Sequence, residues 1–417
     1  MTILKIACCV FAVALFGSAT GEEKDPLPWV GTWAASPQPF MPGNLELYHN
    51  QTLRLIVHTS VAGTMVRVKV SNAYGDRPLR IGGAHVARRT AAATIDSTTD
   101  RVLRFAGNLS TAVPAGSTAV SDPVSLDLAA LSDLAVSIFL PEATKATTSH
   151  LLAQQTSYVS PNTGDSTAAV DFPTVKTIDS WPFLTGVDVV ATPGASVIVA
   201  FGDSSVDGDG TTVDSNHRWP DLLAARLQGG DGHETGVLNE GIVGNRLLLG
   251  SPREAKQFGA ALGEAGVERF ARDALGQARI RCVIVRIGAN DIGFPGAITR
   301  SDMRVSAEQL MSGYRVLISR ARRQGIRVIG TTLSPFEGAS IPGYYTAEKE
   351  RVRQKVNSWI RSGGEFDAVV DLDALLRDPG HPSRLRPDYD SGDHLHTNDI
   401  GYAATANAIP LALLGVT

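Results

Sequence analysis

Ala195-Ser-Val197-Ile-Val-Ala-Phe201-Gly202-Asp203-Ser204-Ser205 contains an apolar run, Val197 to Phe201, that stops at a glycine and passes into small polar residues. Such a run suits a parallel strand buried on both faces, and Gly-Asp-Ser-Ser suits a tight turn into a helix. Cys282 to Ile287, Val328 to Thr332 and Val369 to Leu372 are further runs of this kind. Between them Val267, Phe270, Ala271, Ala274 and Leu275 recur at helical spacing. So do Leu310, Tyr314, Leu317 and Ala321, with Gly325 as C-cap, and Val352, Val356, Trp359 and Ile360 before Gly363 and Gly364. This alternation predicts an open α/β domain over 194–417, a parallel sheet covered by helices. In such a sheet ligands bind at the carboxyl ends of the strands, so chemistry belongs just after each apolar run.

Upstream the pattern changes. Val66-Arg-Val-Lys-Val70 alternates apolar and charged residues, as a half-buried strand does, and Leu53 to His58, Val102 to Phe105 and Leu134 to Leu140 are similar short runs. Glycine, proline and serine clusters separate them, which predicts a β-sandwich domain over 27–140. From 141 to 193 periodicity fades into threonine, serine and proline. A structureless link of that length is uncommon inside a compact protein, so this stretch reads as a connecting segment packed on the domains.

Lys5, the apolar stretch Ile6 to Phe16 and the small residues Gly17, Ser18 and Ala19 form the pattern of a secretory signal over 1–21. The stretch is shorter than the ~20 apolar residues that span a bilayer. The expectation is a secreted or periplasmic protein without stable membrane insertion. Cys8 and Cys9 fall in the signal, leaving Cys282 as a buried strand residue and no internal disulfide. The 417 residues carry 38 Lys+Arg against 42 Asp+Glu, a balance of −4 that offers no surplus for a nucleic-acid partner.

Four segments place chemistry at strand ends. Gly202-Asp203-Ser204-Ser205 presents a hydroxyl at a helix start, although alone it is weak evidence that a plain turn explains more readily. Asn239-Glu-Gly241-Ile-Val-Gly244-Asn245-Arg246 frees a backbone N–H, and Gly288-Ala-Asn290-Asp291 adds an amide donor. Asp393-His-Leu-His396 sets a carboxylate three residues before an imidazole. Together they supply a nucleophile, a base, a carboxylate to orient the base, and oxyanion donors.

In that order the segments resemble the sequence blocks of the SGNH hydrolases, the GDSL family of esterases and lipases, over about Ala195 to Gly415. The resemblance implies a flavodoxin-like α/β/α fold and a serine esterase needing no metal or other cofactor. It implies Ser204 as nucleophile, His396 as base, Asp393 as its orienting carboxylate, and an oxyanion hole from the N–H groups of Ser204 and Gly244 and the Asn290 amide. Trp29-Val-Gly-Thr-Trp33-Ala-Ala-Ser36 and Val70-Ser-Asn-Ala-Tyr74-Gly are similar to the amino-terminal β-domain of a secreted subgroup typified by a xylanase-associated acylesterase. The substrates implied are acetyl or other short acyl esters on polysaccharides. Alternatives are a broad-specificity lipase or arylesterase, or a carbohydrate-binding protein with a vestigial hydrolase domain. Two departures from the family pattern stand out: Ser205 replaces an aliphatic residue after the nucleophile, and Thr397 replaces a proline after the histidine, where its hydroxyl is placed to cap a final helix near Asn398.

Other residues carry two readings each. His394 and His396 with Asp393 or Asp399 imitate metal ligands, against the use of His396 as a base. Asp203 and Asp291 read as hydrogen-bonding supports of their turns more readily than as acids. Arg246 suits either a polar substrate or solvent. Trp219 reads as packing beside Pro220 at a helix start, and Trp29 and Trp33 as core or as sugar-stacking platforms.

Overall fold

The computed structural model describes residues 27–41, 43, 45–228, 234–252 and 255–415. The signal reading of 1–21, with Cys8 and Cys9, lies outside the described residues.

The first half is built of strands. One antiparallel sheet runs β1 (Trp29–Ala34), β6 (Leu184–Val190) and β3 (Gly63–Ser71), with Thr118–Val120 and Val124–Leu128 also paired to β3. A second centres on β2 (Gln51–His58), β5 (Asp133–Leu140) and β4 (Gly83–Ala91). The alternation in β3 has the expected consequence: Val66, Val68 and Val70 are buried in the core. Arg67 and Lys69 face the other way and meet the Asp188 carboxylate of β6 at 2.9 and 2.8 Å. Val102 to Phe105 departs from the reading, since only Arg101–Val102 is a strand and Val102 is exposed.

The 141–193 stretch supplies strands to these sheets instead of merely joining two bodies. Strand β6 is the middle partner of β1 and β3, and Ser157–Val159 pairs with β2. Thr148–His150 pairs with Gln38–Pro39 and Trp181–Pro182. Several of these strands bury polar side chains, including Thr148, Ser149, His150 and Ser157, so they show no apolar alternation.

The second half is a parallel sheet in the order β8 (Thr235–Gly241), β7 (Ser196–Gly202), β9 (Ile280–Arg286), β10 (Arg327–Thr331), β11 (Ala368–Val370). Alternate residues of β7 serve two cores. Val197, Val199 and Phe201 share a cluster with Phe270 of α3 (Gly266–Asp273) and with Leu310, Tyr314 and Leu317 of α5 (Ala307–Arg322). Ile198 and Ala200 pack with Trp219 and Leu223 of α2 (Trp219–Gln228) and Tyr402 of α6 (Asp399–Ala408). Burying each large apolar side chain contributes about 1.5–3 kcal/mol, and apolar demand on both faces explains the unbroken run read in the sequence. Cys282 of β9 is buried and unpaired, as expected for a strand residue. Because β7 lies between the next two strands in sequence, the order reverses at its carboxyl end, the point where open α/β sheets form their binding crevice.

Candidate active site

Ser204 stands at that crevice, as the first residue of the one-turn helix α1 (Ser204–Asp207). Asp203 caps it, accepting from the Ser205 N–H at 3.0 Å and the Ser205 hydroxyl at 2.7 Å. The second hydroxyl is therefore spent on the cap. Trp219 packs beneath and donates Nε1–H to the Ser205 carbonyl at 3.1 Å.

The Ser204 Oγ lies 2.8 Å from His396 Nε2, and His396 Nδ1 lies 2.6 Å from Asp393 Oδ2. The other Asp393 oxygen accepts the Leu395 and His396 N–H groups at 2.9 and 2.8 Å, which holds the carboxylate under the ring. Burial disfavours a charged imidazole here. The hydrogen bond to Asp393, the charge of Asp209 and that of Asp393 outweigh it and hold His396 above the usual histidine value. Burial likewise pushes the Asp393 carboxyl up, but its bonds and charge interaction with His396 prevail and hold it well below the usual carboxylate range.

Asn290 is buried in α4 (Ala289–Gly293). Its amide donates one N–H to the Asn245 carbonyl at 2.9 Å, while its oxygen accepts from the Tyr344 hydroxyl at 2.7 Å. An amide held at both ends keeps its second N–H in one direction. Lys349 ties this wall together, donating to the Gly293 and Gly343 carbonyls at 2.7 and 2.6 Å. Asp291, buried in the same helix, accepts the Leu247 and Leu248 N–H groups at 2.6 and 2.9 Å, and burial pushes its carboxyl up to about 6. Asp203 and Asp291 thus support turns.

Gly244 occupies the turn after β8 with φ +72°, where a side chain is strained, and an added Cβ would sit 2.8 Å from Leu262. The N–H groups of Ser204 and Gly244 have no intramolecular acceptor among the described residues. Ser204, Asn290 and His396 line one cleft with about 420 Å³ of space, part of it open solvent, whose walls include Ile287, Leu333, Phe336 and Leu395. Asp393 stands behind His396, and Gly244 lies outside the lining of this cleft, one residue from the carbonyl that anchors Asn290.

The remaining candidates separate. His394 turns to Asp390, and Asp399 to His217 at 2.9 Å. No group of three His, Cys, Asp or Glu side chains among the described residues is placed to hold a metal. Arg246 is buried and donates to the Gly250 carbonyl. Trp29 and Trp33 are buried core residues. Thr397 does not cap α6: Asn398 does, accepting the Gly401 N–H at 3.1 Å.

Residues 200–404 match the model of the GDSL-like Lipase/Acylhydrolase family. This region is a GDSL-like lipase/acylhydrolase domain. The family is one of hydrolases, and the matched region contains every block residue placed above. Among solved structures it is similar to the lipase/acylhydrolase from Enterococcus faecalis, at 20% identity over 53% of this chain and 96% of that one, TM-score 0.39. It is also similar to the M. smegmatis aryl esterase, at 15% identity over 53% of this chain and all of that one (100%), TM-score 0.39. No curated protein matches the chain.

Two residues beside the GDSL domain's site have no motif to announce them. Tyr344 comes from a loop without periodicity, in Gly343-Tyr-Tyr345. Asp209 follows the Ser204 turn in Asp207-Gly-Asp209, an acidic pair whose position five residues after Ser204 was the available signal.

Proposed function

We propose that the protein is an exported serine esterase that removes acetyl or short acyl groups from polysaccharides. The unbroken chain Asp393–His396–Ser204, at 2.6 and 2.8 Å, carries the reading. In it Ser204 Oγ attacks the ester carbonyl carbon while its proton passes to His396 Nε2. The oxyanion is met by the N–H groups of Ser204 and Gly244 and by the free N–H of Asn290. The carbonyl–alkoxy bond then breaks as His396 returns the proton to the leaving oxygen. Water adds to the acyl-enzyme, gives its proton to His396, and Ser204 leaves with it.

The close apolar walls of the cleft favour a small acyl group over a long chain. The signal pattern over 1–21 supports export, and no helix among the described residues is long and apolar enough to cross a membrane. The Trp29–Ser36 and Val70–Gly75 resemblance supports the polysaccharide class, and two antiparallel sheets sharing one apolar core support a sandwich. Acetate release from acetylated xylan and pectin, beside p-nitrophenyl esters of increasing chain length, tests the reading. The expected result is acetate release and a preference for short esters, both lost in Ser204→Ala. Full activity in Ser204→Ala would overturn the mechanism, and preference for long or aryl esters would favour a lipase or arylesterase.

A further inference from the structure

We infer that the β-rich first half is part of the catalytic apparatus, with His150 acting as a positioning residue that holds the nucleophile helix and the Gly244 turn in register. The inference rests on the roles proposed for Ser204 and Gly244.

His150 is buried on a strand of the first half, 3% exposed. Its Nδ1 lies 3.0 Å from the Ser36 carbonyl oxygen and its Nε2 lies 2.9 Å from Asp207 Oδ1. A carbonyl and a carboxylate can only accept, so the ring satisfies both only with a proton on each nitrogen, as an imidazolium. Burial opposes that charge, but the Asp207 carboxylate outweighs it and holds His150 above the usual histidine value. The Trp181 ring, 5.5 Å from the imidazole centroid, closes the site off.

Asp207 is the last residue of α1, whose first residue is Ser204. Its second oxygen accepts the Val243 N–H at 2.8 Å, and Val243 immediately precedes Gly244. One carboxylate thus fixes the nucleophile helix to the turn that offers an oxyanion donor, and the charge that compensates it comes from the other half of the chain. The fit is close: a Cβ on Gly241 would lie 2.2 Å from the Asp207 backbone nitrogen.

Ser36 provides a second tie. Its hydroxyl accepts from Arg269 Nη1 at 2.9 Å. The same guanidinium donates through Nη2 to the Gly202 carbonyl at 2.7 Å and through Nε to Asn245 Oδ1 at 3.0 Å. Asn245 in turn accepts from Asn290 through its carbonyl. Two neighbouring groups of the first half, the Ser36 carbonyl with His150 and the Ser36 hydroxyl, therefore reach all three proposed oxyanion donors through one or two intermediaries.

Loss of one oxyanion donor costs about 10²–10³ in turnover, and a misplacement of ~1 Å can cost roughly 10². His150→Ala leaves Asp207 buried without its cation and frees the turn to shift. The expected result is kcat lowered roughly 10- to 100-fold per active site, with KM for a p-nitrophenyl acetate substrate within about twofold. Active sites are counted by stoichiometric labelling with a serine-directed fluorophosphonate on the full-length protein. His150→Gln, which keeps one N–H donor, should recover part of the loss. A His150→Ala protein with the wild-type kcat per labelled site would overturn the inference, as would a loss explained wholly by fewer active sites. If His150→Ala does not fold, a wild-type kcat per site in His150→Gln would overturn it and a lowered kcat at unchanged KM would support it. Ser204→Ala in the same assay separates the two claims: its inactivity leaves the esterase reading standing whatever His150 does.

Discussion

Asp209 Oδ2 lies 3.7 Å from His396 Nε2, the ring nitrogen that also meets Ser204 Oγ at 2.8 Å. The imidazole therefore faces carboxylates at both nitrogens, Asp393 behind it and Asp209 at its working edge, with the buried Asp203 adding a weaker pull. Burial raises the Asp209 carboxyl, and the charge of His396 works the other way.

The sign of the Asp209 effect on pH dependence follows. The proposed mechanism needs the neutral His396 imidazole, and Asp209 stabilises the charged one. Asp209→Asn should lower the His396 pKa and move the acid limb of the kcat/KM profile to lower pH, leaving the plateau activity of the same order. A pH–rate profile checks this, and an acid limb at the wild-type position would exclude Asp209 as an influence on the base.

The Asn290 amide and its Tyr344 partner should differ in weight. Asn290→Ala removes a proposed oxyanion donor and is expected to lower kcat by about 10²–10³. Tyr344→Phe removes only the hydroxyl that fixes the amide at 2.7 Å, a hydrogen bond worth about 0.5–1.5 kcal/mol, so kcat should fall roughly two- to tenfold. Steady-state kinetics on one ester would rank the two, and a larger loss in Tyr344→Phe would reverse the assignment.

The parallel strands and the four site segments were legible because their signals are local. A strand buried on both faces needs a continuous apolar run, and Asp393 reaches His396 within a single turn of chain. The strands after residue 141 were not, because Thr148, Ser149, His150 and Ser157 are buried and polar, and hydrogen-bond partners rather than hydropathy decide their place. The His150–Asp207 contact spans 57 residues and two folding patterns, and no period or spacing encodes it. The α6 cap was missed by a single position, since Asn398 and Thr397 both carry a capping side chain and only the turn geometry chooses between them.

Cys282 offers a direct check on the packing of the parallel sheet. It is fully buried in β9, and burial pushes its thiol up to about 12, so little thiolate exists at neutral pH. Iodoacetamide should leave the native enzyme unlabelled and fully active, and label the residue only after denaturation. Mass spectrometry of the treated native protein decides the matter, and rapid native labelling would place the residue at an accessible surface instead.

Glu240 predicts how stability changes with pH. Its carboxylate is 2% exposed and accepts from Ser36 Oγ at 2.6 Å and Gln277 Nε2 at 2.8 Å. Burial, reinforced by the neighbouring Asp273 charge, pushes its pKa from the ordinary 4.5 up to about 8. Between those values the folded state binds the proton more tightly than the unfolded chain does. The stabilisation is therefore complete below the unfolded pKa and is lost as pH rises through about 8. Glu240→Gln cannot titrate and keeps the shape of the neutral acid, with an amide in place of its hydroxyl. Whatever its offset from wild type at pH ~5, the difference in Tm, variant minus wild type, should become more positive by pH ~9. Thermal unfolding across that range tests it, and a difference that stays constant with pH would mean that Glu240 is ionised in the folded protein throughout.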